Sequence, residues 1–186
     1  SYGLKYALFQ IWSRWLLKRS KSKVNIIHPE LIPLENDYVF VSSHGSNFDP
    51  LILASVLPVE THFILKDKER LPFINVYSKR MKIQRIYPDR LDLDIEVIEQ
   101  KLSQSSVCVF LDKFDENLGL QAFFQAATEK HWTLIPISIK NNEGILKNKG
   151  YHSVIVEIKT PVYFEEYQGK TGAELASLIN DRIHLL

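Results

Sequence analysis

Short unbroken apolar runs alternate along this chain with stripes of apolar residues at every third or fourth position. The runs have the length of buried strands and the stripes have the spacing of helices. Residues 2–19 read as a helix in which Leu4, Ala7, Leu8, Ile11, Trp15 and Leu16 share one stripe, widened by Trp12. A short strand, Val24–Ile27, and a Pro/Glu/Asn/Asp linker from His28 to Asp37 follow. Strands are then predicted over Tyr38–Ser43, Thr61–Leu65, Ile83–Tyr87, Ser106–Leu111 and Leu134–Ile139. Between them lie predicted helices over Pro50–Leu57, Leu71–Arg80, Leu93–Leu102 and Ala122–Glu129, with Pro72 in the first turn of the second. Asn141–Gly150 is a polar, turn-rich loop, and Val154–Ile158 is the last clear strand. Thr171-Gly172-Ala173-Glu174 has the form of a capping box that opens a final amphipathic helix. Alternation of strand and helix from residue 38 to residue 139 predicts an α/β fold. Its central sheet is mostly parallel with helices on both faces, and an antiparallel strand near the end makes it mixed. The chain divides into an amphipathic helix, residues 1–23, and one domain, residues 24–186.

Composition narrows the class. The 186 residues suffice for one substantial core, and 45% hydrophobic with 24% charged residues is ordinary for a globular fold. A net charge of +1 gives no global field for nucleic acid. The single cysteine, Cys108, sits inside the run Val107–Leu111 and reads as a small buried hydrophobe, which excludes a disulfide framework. No metal-ligand spacing, internal repeat or Gly-rich phosphate loop is present, and no apolar stretch approaches the ~20 residues that span a bilayer. The start at Ser1 without methionine is what a trimmed chain would show, and an upstream anchor would then precede it. Lys5, Arg14, Lys18, Arg19, Lys21 and Lys23 flank the apolar stripe of the first helix. Trp with Lys and Arg on an amphipathic helix is the composition of a segment lying in a membrane interface. The alternative is a helix that packs its stripe on the core.

The strongest chemical signal is Ser43-His44-Gly45-Ser46-Asn47-Phe48-Asp49-Pro50. It joins the strand Tyr38–Ser43 to the helix opened by Pro50, so His44 falls at a strand's C-terminal end, where open α/β sheets bind ligands. A tight turn through Gly45-Ser46-Asn47 brings the Asp49 carboxylate back toward the imidazole. An aspartate bonded to one ring nitrogen fixes the tautomer and raises the basicity of the other, which makes a general base for a substrate hydroxyl. The plainer alternative makes Asp49 the N-cap of the helix and His44 a solvated loop residue.

These residues, with others in the same order along nearly the whole chain, resemble the PlsC-type glycerolipid acyltransferases. Val24–Pro33 is similar to that family's strand and G-x-E-N-x-P lead-in. His44, Ser46, Asp49 and Pro50 match its first block, N-H-x-S-x-x-D-P, with Ser43 in place of Asn. Phe63–Lys66 followed by Leu71-Pro72-Phe73 is similar to its A-K-x-E-L … P-F segment. Ile86–Arg90 resembles the second block, I-x-x-D-R, with Arg85 as a competitor to Arg90, and Thr133–Ile139 resembles the fourth block, V-P-I-V-P-V. The third block, F-P-E-G-T-R, departs: Asp112 stands for the glutamate, Lys113 is the nearest replacement cation, and the Gly and Arg have no equivalents.

The resemblance implies transfer of an acyl group from an acyl thioester to a hydroxyl of a lysophospholipid such as lysophosphatidic acid, in phospholipid biosynthesis. His44 and Asp49 would be catalytic. Arg90, Ser46, Lys66, Asp112 and Lys113 would bind substrate. No cofactor or metal would be held permanently, and acyl-CoA or acyl carrier protein would serve as the donor. The implied partners are the membrane surface and the lysophospholipid acceptor, which places the chain peripherally on the cytoplasmic side of a membrane. The altered third block leaves the alternative of a divergent, non-catalytic member that binds lipid or a partner.

Overall fold

Unbroken apolar strands need cover on both sides, and the computed structural model shows how this chain supplies it. The structure describes residues 2–34, 38–43, 46, 48–66, 84–86, 91–110, 118–142, 145 and 151–185. Among the described residues seven strands form one sheet: β1 (Ser22–Ile27), β2 (Tyr38–Ser42), β3 (Thr61–Lys66), β4 (Gln84–Ile86), β5 (Ser106–Phe110), β6 (Thr133–Lys140) and β7 (His152–Ile158). Their order across the sheet is β1-β7-β6-β2-β5-β3-β4. Strands β6, β2, β5, β3 and β4 run parallel, β7 is antiparallel to β6, and β1 is parallel to β7. The fold is the predicted mixed α/β sheet, with the reversal at the end.

Side chains of β2 alternate between two cores. Tyr38 and Phe40, with Phe63, Cys108, Phe110, Ile135 and Ile137, face the first core. Val39 and Val41, with Ile64, Val107, Val109 and Leu134, face the second. Both sets are apolar because both faces are covered, the usual state of a parallel sheet. Helices α1 (Tyr2–Arg19) and α2 (Asp49–Val56) cover the first face. Helices α3 (Leu91–Leu102), α4 (Leu118–Lys130) and α6 (Gly172–His184) cover the second. The short helix α5 (Phe164–Tyr167), absent from the sequence expectation, is pinned by the Tyr167 hydroxyl, which donates to the carbonyls of Trp132 (2.6 Å) and Ala127 (3.2 Å). Burial pushes that phenol up to about 12. The capping box at Thr171 forms as expected: Glu174 N–H donates to Thr171 Oγ1, and Thr171 N–H donates to Glu174 Oε2. The linker after β1 carries a single 3-10 turn, Pro29–Leu31. The expected helix Leu71–Arg80 lies outside the described residues.

For the first helix, the alternative that packs the predicted stripe on the core does not hold. Its predicted stripe is a candidate packing face by spacing, but Leu4, Leu8, Ile11 and Trp15 are 55–64% exposed. The core face is Tyr6, Phe9, Ser13 and Leu17 instead, with Trp12 and Leu16 half-buried beside it. At about 100° per residue, Tyr6 and Trp15 point about 180° apart. The helix is apolar on two opposite sides, which one helical stripe cannot express. Polar residues fix its seat: Gln10 Nε2 donates to the Leu57 carbonyl and Arg14 Nε to the Ser55 carbonyl, each at 2.8 Å. These are carbonyls at the C-terminal end of α2, which intrahelical bonds leave open and which a cation complements.

Candidate active site

The parallel strands β6, β2, β5, β3 and β4 all end at one edge of the sheet, so the segments that follow them start from that edge. The candidate residues lie in those segments or at their starts. Lys66 closes β3, and Asp112 and Lys113 follow the last residue of β5, Phe110. Arg90 follows β4, and His44 and Asp49 follow β2. Ser46 and Asp49 fall within the described residues with their side chains; Lys66 does so by its backbone. His44, Arg90, Asp112 and Lys113 lie outside the described residues.

The turn before α2 is built from reciprocal bonds. Asp49 N–H donates to the Ser46 carbonyl at 3.0 Å, and Ser46 N–H donates to Asp49 Oδ2 at 3.0 Å. The Ser46 hydroxyl oxygen accepts from the Phe48 N–H at 3.3 Å. The other carboxylate oxygen, Asp49 Oδ1, accepts from Asn142 Nδ2 at 2.6 Å across a buried gap between α2 and the end of β6. Asp49 is 0% exposed. A buried carboxylate is tolerable only when its oxygens are bonded, and both are.

The N-cap alternative does not hold. Phe48 takes the N-cap position without a side-chain cap bond, and Asp49 lies inside the first helical turn next to Pro50. Its carboxylate turns back onto the loop and β6, at the positive end of the α2 dipole. The charge is felt below it: burial, and then Asp49, push the Cys108 thiol on β5 well above its usual value. Cys108 is therefore a protonated, fully buried thiol and not a nucleophile.

Asn142 escaped the sequence reading because it lies in a segment that composition marks only as a turn. It comes two residues after β6, at the edge where β2 also ends, and Ser42 of β2 pairs with Ile137 of β6. Asn141 adopts a left-handed conformation, φ 62°, that asparagine tolerates better than most residues, and it bends the chain at this point.

A mixed sheet covered on both faces, with a buried aspartate where the second strand gives way to its helix, places this chain in the class of covered α/β-sheet domains. Comparison with known proteins makes that class specific. The sequence profile of the acyltransferase family matches residues 23–140, well over half of the chain, and this protein belongs to that family. No curated protein sequence matches it. Among solved structures, it is similar to the crystal structure of the 1-acyl-sn-glycerophosphate (LPA) acyltransferase PlsC from Thermotoga maritima. The TM-score is 0.71 at 15% sequence identity, over 96% of this chain and 76% of that one. At that identity the likeness establishes the shared fold.

Proposed function

We propose that this acyltransferase moves an acyl group from an acyl thioester, on coenzyme A or acyl carrier protein, to a free hydroxyl of a lysophospholipid such as lysophosphatidic acid. The observation that carries this reading is the Asp49 carboxylate. It is fully buried where the parallel strands end, bonded on both oxygens, and five residues after His44. In this mechanism Asp49 orients the His44 imidazole and balances its charge. His44 takes the proton from the acceptor hydroxyl as that oxygen attacks the thioester carbonyl. The carbon–sulfur bond then breaks and the thiolate leaves as the free carrier thiol once protonated. Arg90 holds the acceptor phosphate, since a guanidinium fork fits phosphate oxygens in pairs. Lys66, Lys113, Ser46 and Asp112 complete the substrate site, with no permanently bound cofactor or metal.

The acceptor is a lipid, and the first helix offers a way to meet it. We propose that the exposed stripe Leu4, Leu8, Ile11 and Trp15 docks on an anionic membrane surface. Its edges carry the complementary charge, with Lys5 and Arg19 on one side and Lys18 and Arg14 on the other. The Arg19 guanidinium lies 5.7 Å from the Trp15 ring centre, so the aromatic and the cation form one surface. Among the described residues no helix is long and apolar enough to cross a membrane. The chain on this reading is peripheral, on the cytoplasmic side.

The test of the catalytic reading is release of carrier thiol from acyl-CoA and acyl-carrier-protein thioesters across a panel of lysophospholipids. Wild type should release thiol with at least one acceptor, and His44→Ala and Asp49→Asn should lose nearly all of that activity. Lysolipid binding without thiol release from any thioester would instead favour the non-catalytic reading that the altered third block, Asp112-Lys113, invites.

A further inference from the structure

We infer that Asn142 is a positioning residue for Asp49, an inference that rests on the catalytic reading above and extends it to a residue just past strand β6. Among the described residues, one bond reaches each oxygen of the Asp49 carboxylate from the backbone of Ser46 and the side chain of Asn142. The bond from Ser46 comes from the same turn and travels with it. The bond from Asn142 comes from the end of β6, 93 positions away in sequence, and ties the turn to the sheet. The Asn142 bond thus restrains the carboxylate from outside its own turn.

The choice of residue type also points to this role. Asn142 is buried, 6% exposed, where an apolar side chain would cost less to desolvate. Its amide donates at 2.6 Å, a short bond of the kind a charged acceptor makes. The donor is neutral. A lysine or arginine in its place would neutralise the carboxylate that a protonated imidazole needs, whereas an amide orients the charge and leaves it in place. Around Asp49 the described titratable neighbour is Cys108 on β5, which stays protonated, and His44 is the group the carboxylate is proposed to serve.

The experiment measures thiol release by the full chain with palmitoyl-CoA and lysophosphatidic acid, for wild type, Asn142→Ala and Asn142→Asp. Loss of one bond to a charged group predicts a fall in kcat of about tenfold to a hundredfold for Asn142→Ala, with the thioester KM unchanged. Asn142→Asp is isosteric and carries the test if the alanine variant fails to fold. While Asp49 and the introduced carboxyl share a proton, they can keep the bond; when both are ionised, they repel. The ratio of its rate to wild type should therefore fall as pH rises, which a purely structural role would not produce. Wild-type kcat in Asn142→Ala, or a pH-independent ratio for a folded Asn142→Asp, overturns the inference. A wild type without thiol release would count against the catalytic reading, and the 15N-detected titration of His44 then decides separately. A shift in Asn142→Ala in the direction seen for Asp49→Asn supports positioning, and no shift there overturns it.

Discussion

Replacing Leu8 and Ile11 together by glutamate separates the two apolar sides of the first helix. These side chains are 59% and 63% exposed, so the fold uses well under half of each surface. Full burial of a leucine or isoleucine is worth about 1.5–3 kcal/mol, so the unburied share leaves about 1–2 kcal/mol per residue for a membrane to gain. Losing both removes about 2–4 kcal/mol. Each cation or anion near a charged bilayer adds about 1 kcal/mol, here with unfavourable sign for the two glutamates. The sum is about 4–6 kcal/mol, or three to four powers of ten in partitioning at about 1.4 kcal/mol each. Sedimentation with vesicles of phosphatidylcholine and phosphatidylglycerol in equal parts should show at least a hundredfold loss of binding for the double variant. Wild-type binding should weaken as salt is raised. Thermal unfolding should scarcely move, since exposed substitutions stay within about 0.5 kcal/mol. Phe9→Ala is the opposite control. Phe9 is 3% exposed and packs against Trp12 and Phe63 at ring-centre distances of 6.1 and 6.4 Å, so it should cost about 3–5 kcal/mol of stability. A double variant that binds vesicles as wild type does would refute the membrane assignment. One that unfolds would show that this face is packed against protein.

Two further substitutions test the frame that holds the site. A Cβ at Gly172 would stand 2.7 Å from the Gln121 carbonyl oxygen and 3.0 Å from the Gln125 nitrogen, both backbone atoms of α4. Gly172→Ala should therefore force α6 away from α4 and cost about 1–3 kcal/mol in denaturant unfolding; an unchanged midpoint would show that the two helices separate freely. The second concerns Glu157, whose carboxyl the Lys159 ammonium at 2.9 Å holds below its ordinary value, with Lys140 adding to the effect. A lowered native value stabilises the fold above the unfolded value of 4.5, and that contribution is lost as pH falls through the native value. Lys159→Met should narrow its stability deficit relative to wild type as pH drops below 4.5, and a deficit independent of pH would remove the pair from the account.

The sheet was legible because its strands are short, continuous apolar runs bounded by turn residues, and because each lies between segments of helical period. Which strand residue faces which core was not. Val39, Phe40 and Val41 are all apolar and all buried, so period-two contrast is absent from β2. In the first helix the core face was not legible: a stripe at correct spacing signals an apolar face, and Leu4, Leu8, Ile11 and Trp15 form one, but Tyr6, Phe9 and Leu17 form another. Spacing alone does not say which of two faces the core takes. Thr171 and Glu174 were readable because a capping box is local, four residues from end to end. The partner of Asp49 was not, because Asn142 reaches it only through the pairing of β2 with β6. The aspartate itself stood out from its spacing to His44.

The most direct test of the central claim is mass-spectrometric detection of the diacyl product. Wild type and Asp49→Asn would each be incubated with lysophosphatidic acid and palmitoyl-CoA on anionic vesicles. The account predicts phosphatidic acid carrying the palmitoyl group from wild type and a rate lower by orders of magnitude from Asp49→Asn, whose side chain keeps the shape but loses the charge. Equal product from both proteins would contradict it.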